Sequence, residues 1–485
     1  MSASPATAAT PPVSPTAPAG HIEGHVRRSI GVLAARNGLG IAINLAGTVV
    51  LSRLLGPEPW GALAIAQLIY LGSQEVLGRG VSTYLIKKED HPTSADIGHS
   101  LALQQLLGLV LLGAAAALAR PAAHWYRHPG LAPLMYASGL AAYGCAWRSV
   151  PLSLLERDFA YFKVALVEVL DTLIFNSVAI ALAWNGHGIA ALTWAMVLRS
   201  LLPAALAVAL RPLRPQIALF DRALLPATDF GLSAAALSLA NIAMMSVPAV
   251  VVGRLAGMAA LGLAQMAFGL YANFLFVTAA ILRLAFSAYS RLTAFPEELH
   301  RLVCHHLEVL AAALVPAIVL FAGFAPLWAP LIFGAKWSGL PLLLLVLAPG
   351  YLFAAVFWGV LNPALMVSGK HRHLVLWLIA FTASYAFLTW KTTPSWPALG
   401  VAIAFSVVEI TLHPALFWMY RNLYGPIPYK RVFTELALGA AFLALLWPAS
   451  SYHALAAALP ACLYLGLCYL RNRNLLAGVR RFAQA

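Results

Sequence analysis

The chain has 485 residues, of which 61% are hydrophobic and 10% charged, and its formal net charge is +14. A soluble globular chain carries about 25% charged residues, so this composition excludes an ordinary water-soluble domain; a mean hydropathy of +0.81 sets most of the surface against lipid. Positive charge of this size would suggest nucleic acid in a soluble chain, but here it falls in short segments between apolar runs, so no nucleic-acid partner is expected.

The first twenty residues are rich in Ala, Pro, Ser and Thr, with neither a basic n-region nor an apolar h-region. Residues 1–27 are therefore expected to be a disordered tail, not a signal peptide. A hydrocarbon core of about 30 Å takes roughly 20 residues of helix. That ruler predicts spans near 30–52, 59–79, 98–119, 131–150, 161–183 and 187–210. After a polar, basic stretch at 211–229 come spans near 230–253, 258–282, 305–325, 338–361, 374–390, 396–420, 432–448 and 452–470. The expected class is an all-α polytopic membrane protein of about 14 helices. Its parts are an N-terminal lobe at 28–210, a linker at 211–229, a C-terminal lobe at 230–420, two extra helices at 421–470 and a basic tail at 471–485.

Two signals orient these spans. With the N-terminus inside, 24 of the 31 Lys and Arg fall in cytoplasmic segments, Arg148, Arg157 and Arg199 among them, and 6 on the opposite side. Trp60, Trp125, Trp184, Trp328, Trp337, Trp390, Trp396 and Trp447 fall at outer ends, where an indole satisfies both its apolar body and its N–H. Both termini are thus expected in the cytoplasm. The outer loops are too short to hold a soluble domain.

Arg53-Leu54-Leu55-Gly56 with Gly61 recurs 201 residues later as Arg254-Leu255-Ala256-Gly257 with Gly262. Each copy sits in the turn joining the first two spans of a six-helix set. Six is even, so the sets would be parallel repeats about an axis normal to the membrane, an arrangement that puts a transporter's substrate site between its halves. The alternative is a recurrent helix stop with glycine caps.

The run VVLSRLLGPEPWG at 49–61 resembles the first-turn signature of bacterial oligosaccharide and polysaccharide flippases, and PLSLLERDF at 151–159 resembles the loop after their fourth helix. Trp60 stands where the family often has tyrosine or phenylalanine. These are the O-antigen and exopolysaccharide exporters of the multidrug/oligosaccharidyl-lipid/polysaccharide superfamily, whose fourteen-helix layout is also similar. The resemblance implies transfer of an undecaprenyl-diphosphate-linked oligosaccharide across a bacterial inner membrane. It also implies partnership with a polysaccharide polymerase and a chain-length regulator.

Ionisable groups inside spans are functional candidates by default, each costing at least about 2.5–3.5 kcal/mol on insertion scales. Arg36, with Asn37 and Asn44, lies in the first span; a guanidinium there suits an anionic diphosphate, and Arg283 and Asn273 extend the same polar lining. Arg36 could equally snorkel or pair with Glu75 in the second span. Glu168 and Asp171 share a face of the fifth span, where such a pair could bind a proton or Na⁺ that drives the cycle; alternatively, Glu168 pairs with Arg148, Arg157 or Lys163 as bundle glue. Glu409 and His413, at i, i+4 in the twelfth span, could relay protons or form a buried core pair. Asp229, Glu308 and Glu435 fall at inner helix starts and read as caps. Cys145, Cys304, Cys462 and Cys468 lack metal-ligand spacing and read as small hydrophobes.

No P-loop lysine motif, HExxH, GxSxG or dinucleotide fingerprint occurs, so neither catalysis, cofactor nor metal is expected. The alternatives to a flippase are a cation-coupled multidrug exporter of the same superfamily and, against the short outer loops, a polytopic polymerase or ligase.

Overall fold

Hydrocarbon offers a backbone N–H or C=O no partner outside its own helix, so apolar runs of this length fold as helices. The computed structural model describes residues 19–79, 85, 91–213, 240–427 and 429–484, and among them there is no strand. The first lobe comprises α1 (Ala19–Leu54), α2 (Pro57–Arg79), α3 (Ser94–Trp125), α4 (Leu131–Arg157), α5 (Tyr161–Trp184) and α6 (Ile189–Leu210). The second comprises α7 (Ala240–Leu255), α8 (Gly257–Arg291), α9 (Pro296–Gly323), α10 (Leu340–Val367), α11 (His371–Thr392) and α12 (Leu399–Tyr424). A short helix, Ala325–Phe333, follows α9; α13 (Tyr429–Tyr452) and α14 (Ala454–Gln484) complete the chain. Eight of these helices are long and apolar enough to cross a membrane by length and composition alone. The molecule is a multi-pass membrane protein.

Helix ends run past the apolar runs, because a helix keeps its own hydrogen bonds after leaving hydrocarbon. α1 begins at Ala19, inside the expected tail, and α14 continues to Gln484 where a tail from 471 was expected. Most of the expected linker and the first residues of the seventh span lie outside the described residues. Glu308 and Glu435 are ties between helices: Arg431 of α13 reaches Glu308 of α9 at 3.2 Å, while Arg471 and Asn472 of α14 reach the buried Glu435 at 2.7 and 3.2 Å. Asp229 lies outside the described residues.

The two six-helix sets pack by one plan. In the first, α1 lies on α5, α2 and α3 on α4, and α4 and α5 on α6. In the second, α7 lies on α11, α8 and α9 on α10, and α10 and α11 on α12. The register between them is about 201 through the third helix; beyond the short helix it is 209–210, since α10, α11 and α12 begin at 340, 371 and 399 against 131, 161 and 189. The short helix therefore lengthens one connection without disturbing the repeat.

The lobes meet along α2 and α8. At the face where α1 ends, a Cβ added at Gly61 would overlap the Met258 carbonyl, and one added at Gly262 would overlap that of Pro57. Position 57 corresponds to 258 and 61 to 262, so the contact is reciprocal. Only glycine permits so close a backbone approach. Around it, Arg53 donates to the Leu331 and Ile332 carbonyls, and the Trp337 indole N–H donates to the Ser52 carbonyl at 2.9 Å. The Arg254 guanidinium lies 5.0 Å from the centre of the Trp125 ring. Each repeat arginine thus reaches the chain just past, or at the end of, the third helix of the opposite lobe. Gly257 turns through a positive φ of 83°.

Candidate functional site

Between the lobes lies a cavity of about 580 Å³, and the contacts just described seal it toward the face where α1 ends. The first lobe contributes Thr48 of α1 and one face of α2, including Gln67; the second contributes α7, α8, α10, α11 and α12. Two helix irregularities fall on its wall. α7 makes a π turn at Pro248–Val252 and α10 another at Ala354–Trp358. Proline supplies no N–H to a regular ladder, and such turns re-aim side chains, often at functional sites. Here Pro248, Ala354 and Trp358 face the cavity.

The second-lobe wall is aromatic. Phe268, Tyr351, Trp358, Trp377, Phe381, Tyr385 and Phe405 all line it. Trp358 and Trp377 stack at 4.9 Å, Phe268 and Phe405 meet edge to face at 5.4 Å, and Tyr271 stacks behind Tyr351 at 4.5 Å. Amides stand opposite and beside them: Gln67, Asn241 and Gln265. Among the described lining residues there is no Lys or Arg, and Glu409 is the single carboxyl group. It lies one turn from His413, whose Nδ1 is 2.6 Å from the Glu409 carbonyl and 3.0 Å from its Oε2. His413 has no solvent exposure and is ringed by Phe353, Phe357, Trp377 and Phe417 at 5.6–6.4 Å.

The first lobe concentrates charge instead. Asp171 of α5 is 7% exposed, and Arg199 of α6 reaches it at 2.6 Å and Arg148 of α4 at 3.3 Å. Tyr70 of α2 donates to both Asp171 oxygens at 3.1 Å and accepts from Arg148 at 3.0 Å. The Arg199 guanidinium also covers the Tyr70 ring at 4.2 Å and the Phe175 ring at 4.8 Å. Two cations share one carboxylate, with the phenol bridging them. One turn earlier on α5, Glu168 pairs with Arg36 of α1.

These positions sort the expected residues. Arg36 and Glu168 meet each other, whereas Asp171, on the same face, turns to Arg148 and Arg199. Asn44 accepts from Asn176 at 3.4 Å, and Glu75 is half-buried on α2. Asn273 donates to Gly269 and Leu270 carbonyls of its own helix at 3.0 and 3.3 Å. Glu409 reaches the cavity with His413 behind it. The side chains of Asn37 and Arg283 lie outside the described residues. Sequence reasoning assigned Arg148 and Arg199 to cytoplasmic segments; they sit nine and eleven residues before the ends of α4 and α6 and pack against Asp171, Arg148 buried and Arg199 largely so. It also missed Tyr70 and the aromatic wall. A lone aspartate in an apolar span requires a buried cation, and that requirement was the available signal. No group of three or more metal-ligating side chains occurs among the described residues.

The fold is similar to that of a structure described as the lipid II flippase MurJ in an inward closed conformation, with a TM-score of 0.71 and 13% identity over 91% of this chain and 99% of that one. It is also similar to an inward-facing multidrug resistance MATE family transporter of the MOP superfamily, at a TM-score of 0.55 and 16% identity over 79% and 95%. A search of curated protein sequences found no match. Residues 50–340 match the sequence profile of the family described as polysaccharide biosynthesis protein; that stretch is more than half of the chain and holds both glycine turns, the Asp171 cluster and most of the cavity's first-lobe side, and the chain belongs to this family.

Proposed function

We propose that this protein is a flippase moving an undecaprenyl-diphosphate-linked oligosaccharide from the inner to the outer leaflet of a bacterial inner membrane by alternating access. The observation that carries the reading is the cavity between two repeated lobes, closed at one face by a reciprocal glycine contact, in a chain of a polysaccharide biosynthesis family. Both termini are taken as cytoplasmic, so the closed face is the outer one. Surface-polysaccharide assembly then continues with a separate polymerase and chain-length regulator; the flippase itself catalyses no bond change.

In this scheme Arg36 holds the diphosphate near the cytoplasmic end of α1, with Asn37, Asn44, Arg283 and Asn273 as neighbouring polar groups. Glu168 is the counter-ion the phosphate displaces, since a divalent anion competes well for a guanidinium that keeps partial exposure. Glu409 and His413 form the coupling pair: a carboxylate on the cavity wall and an imidazole behind it can pass a proton between cavity and core. Glu168, Asp171 and Glu75 are the further acidic candidates. Asp171 is held by two arginines and is the least free to release its charge.

The test is lipid analysis of a deletion strain with a leaflet-accessibility assay. Undecaprenyl-diphosphate oligosaccharide accumulating on the cytoplasmic leaflet is the expected result; accumulation on the outer leaflet would transfer the role to polymerisation or ligation. Arg36→Ala should lower export at normal expression, with partial recovery in Arg36→Lys. Wild-type export by both variants removes Arg36 from the scheme.

A second reading, export of organic cations, is favoured by one feature: a carboxylate on an aromatic wall. Drug susceptibility of the deletion strain tests it, hypersensitivity to lipophilic cations being the supporting result.

A further inference from the structure

The buried polar atoms of the cavity wall specify what part of a substrate it takes. The Trp60 indole nitrogen, the Tyr385 hydroxyl and Glu409 Oε2 are buried without a hydrogen-bond partner, and all three residues line the cavity. Tyr385 is 2% exposed. A buried donor left unmade costs about 1–3 kcal/mol, so a ligand that bonds to these atoms is favoured over one that does not. Trp60 can only donate, the Glu409 carboxylate can only accept, and the amides of Gln67, Asn241 and Gln265 do both. A hydroxyl group, donor and acceptor at once, meets all of them.

The rings supply the complementary half. A pyranose presents one face of C–H groups, bearing slight positive charge, edged by hydroxyls. An aromatic face is slightly negative and apolar, and Trp358, Tyr351 and Phe268 offer such surface beside the amides. An anion is badly served here, because among the described lining residues there is no Lys or Arg and Glu409 would repel it. An organic cation is served little better, because Glu409 is the single carboxylate among the described lining residues and is itself buried beside His413, and the amides and indole N–H add nothing for it.

Resting on the flippase reading above, we infer that this cavity is the oligosaccharide subsite, gripping sugar by ring stacking and amide hydrogen bonds, and that the diphosphate is held elsewhere. Tyr385, Gln67 and Trp358 are then determinants of sugar specificity.

The experiment uses the full-length protein in nanodiscs and follows tryptophan fluorescence, since Trp60, Trp358 and Trp377 face the cavity. Three probes are titrated: the lipid-linked oligosaccharide fraction extracted from the deletion strain, sugar-free undecaprenyl diphosphate, and tetraphenylphosphonium. The variants are Tyr385→Phe, which removes one oxygen and keeps the packing, Gln67→Leu, and their combination. The combined variant should weaken the oligosaccharide fraction about tenfold, two hydrogen bonds' worth, while undecaprenyl diphosphate binds as in wild type. Equal weakening of both lipids, or of neither, overturns the inference and leaves the flippase reading intact. Loss confined to tetraphenylphosphonium overturns it in favour of a cation site. If wild type binds neither lipid, the flippase reading fails and this inference with it.

Discussion

The two lobes share a helix plan and differ in what they bury. At a register of 210, Asp171 corresponds to Phe381, Arg199 to Glu409 and Phe175 to Tyr385, and Arg148 falls opposite the Phe357–Trp358 turn. Tyr70 corresponds at 201 to Tyr271, which donates to the Leu344 carbonyl at 2.6 Å instead of to a carboxylate. One lobe is thus braced by charges that depend on each other, the other by rings that tolerate exchange. Removing one member of a buried ion cluster strands the rest, whereas a ring wall yields in proportion to the area lost. The first lobe has the chemistry of a rigid strut, and the second that of an adaptable surface.

This contrast is sharpest at Asp171. Asp171→Ala leaves two buried guanidinium groups without their shared carboxylate and should destabilise the protein by about 3–5 kcal/mol, read as collapse of the monodisperse peak and a large drop in melting temperature in detergent. Next comes the glycine crossing: Gly61→Ala or Gly262→Ala forces the two backbones apart, a strain of about 1–3 kcal/mol. Each should reduce disulfide formation between engineered cysteines at positions 54 and 336 by a similar degree, and unequal effects would break the two-fold equivalence. In the aromatic lobe the double change Glu409→Leu/His413→Phe replaces a buried pair by hydrophobes and should alter stability by no more than about 1.5 kcal/mol. The same variant should flatten the pH dependence of transport measured in proteoliposomes; a retained profile moves coupling to Glu168 or Glu75. The smallest effects belong to the repeat arginines. Arg53→Ala loses charged bonds to two carbonyls, about 1.5 kcal/mol, and Arg254→Ala one exposed cation–ring contact, about 0.5–1 kcal/mol, as shifts in thermal midpoint.

The helices were legible in the sequence because lipid imposes a length and a polarity that each span must meet. α5, for example, was expected at 161–183 and occupies Tyr161–Trp184. The ends of α1 and α14 were not, because nothing apolar marks a helix that continues into water. The Glu409–His413 pair was visible as an i, i+4 spacing on one helix, and the repeat as a turn motif. The Asp171 cluster was hidden because its four members come from four helices, and because an arginine nine residues from a helix end looks, in a hydropathy window, like the loop beyond it. The cavity wall was hidden for a simpler reason: an aromatic residue facing a cavity and one facing lipid read alike in sequence.

The glycine crossing also has a mechanical consequence. A gate made of side chains can soften by changing rotamer, but one made of two backbones in contact has no such slack, so it stays shut until the lobes rotate as bodies. Until then it serves as a fulcrum. α2, with 23 residues, is a lever of about 34 Å at 1.5 Å per residue, and a tilt of about 10° about its pinned end sweeps the other end through roughly 6 Å. The chamber's far end can therefore widen or narrow by about the breadth of a sugar ring while the glycine seal does not move.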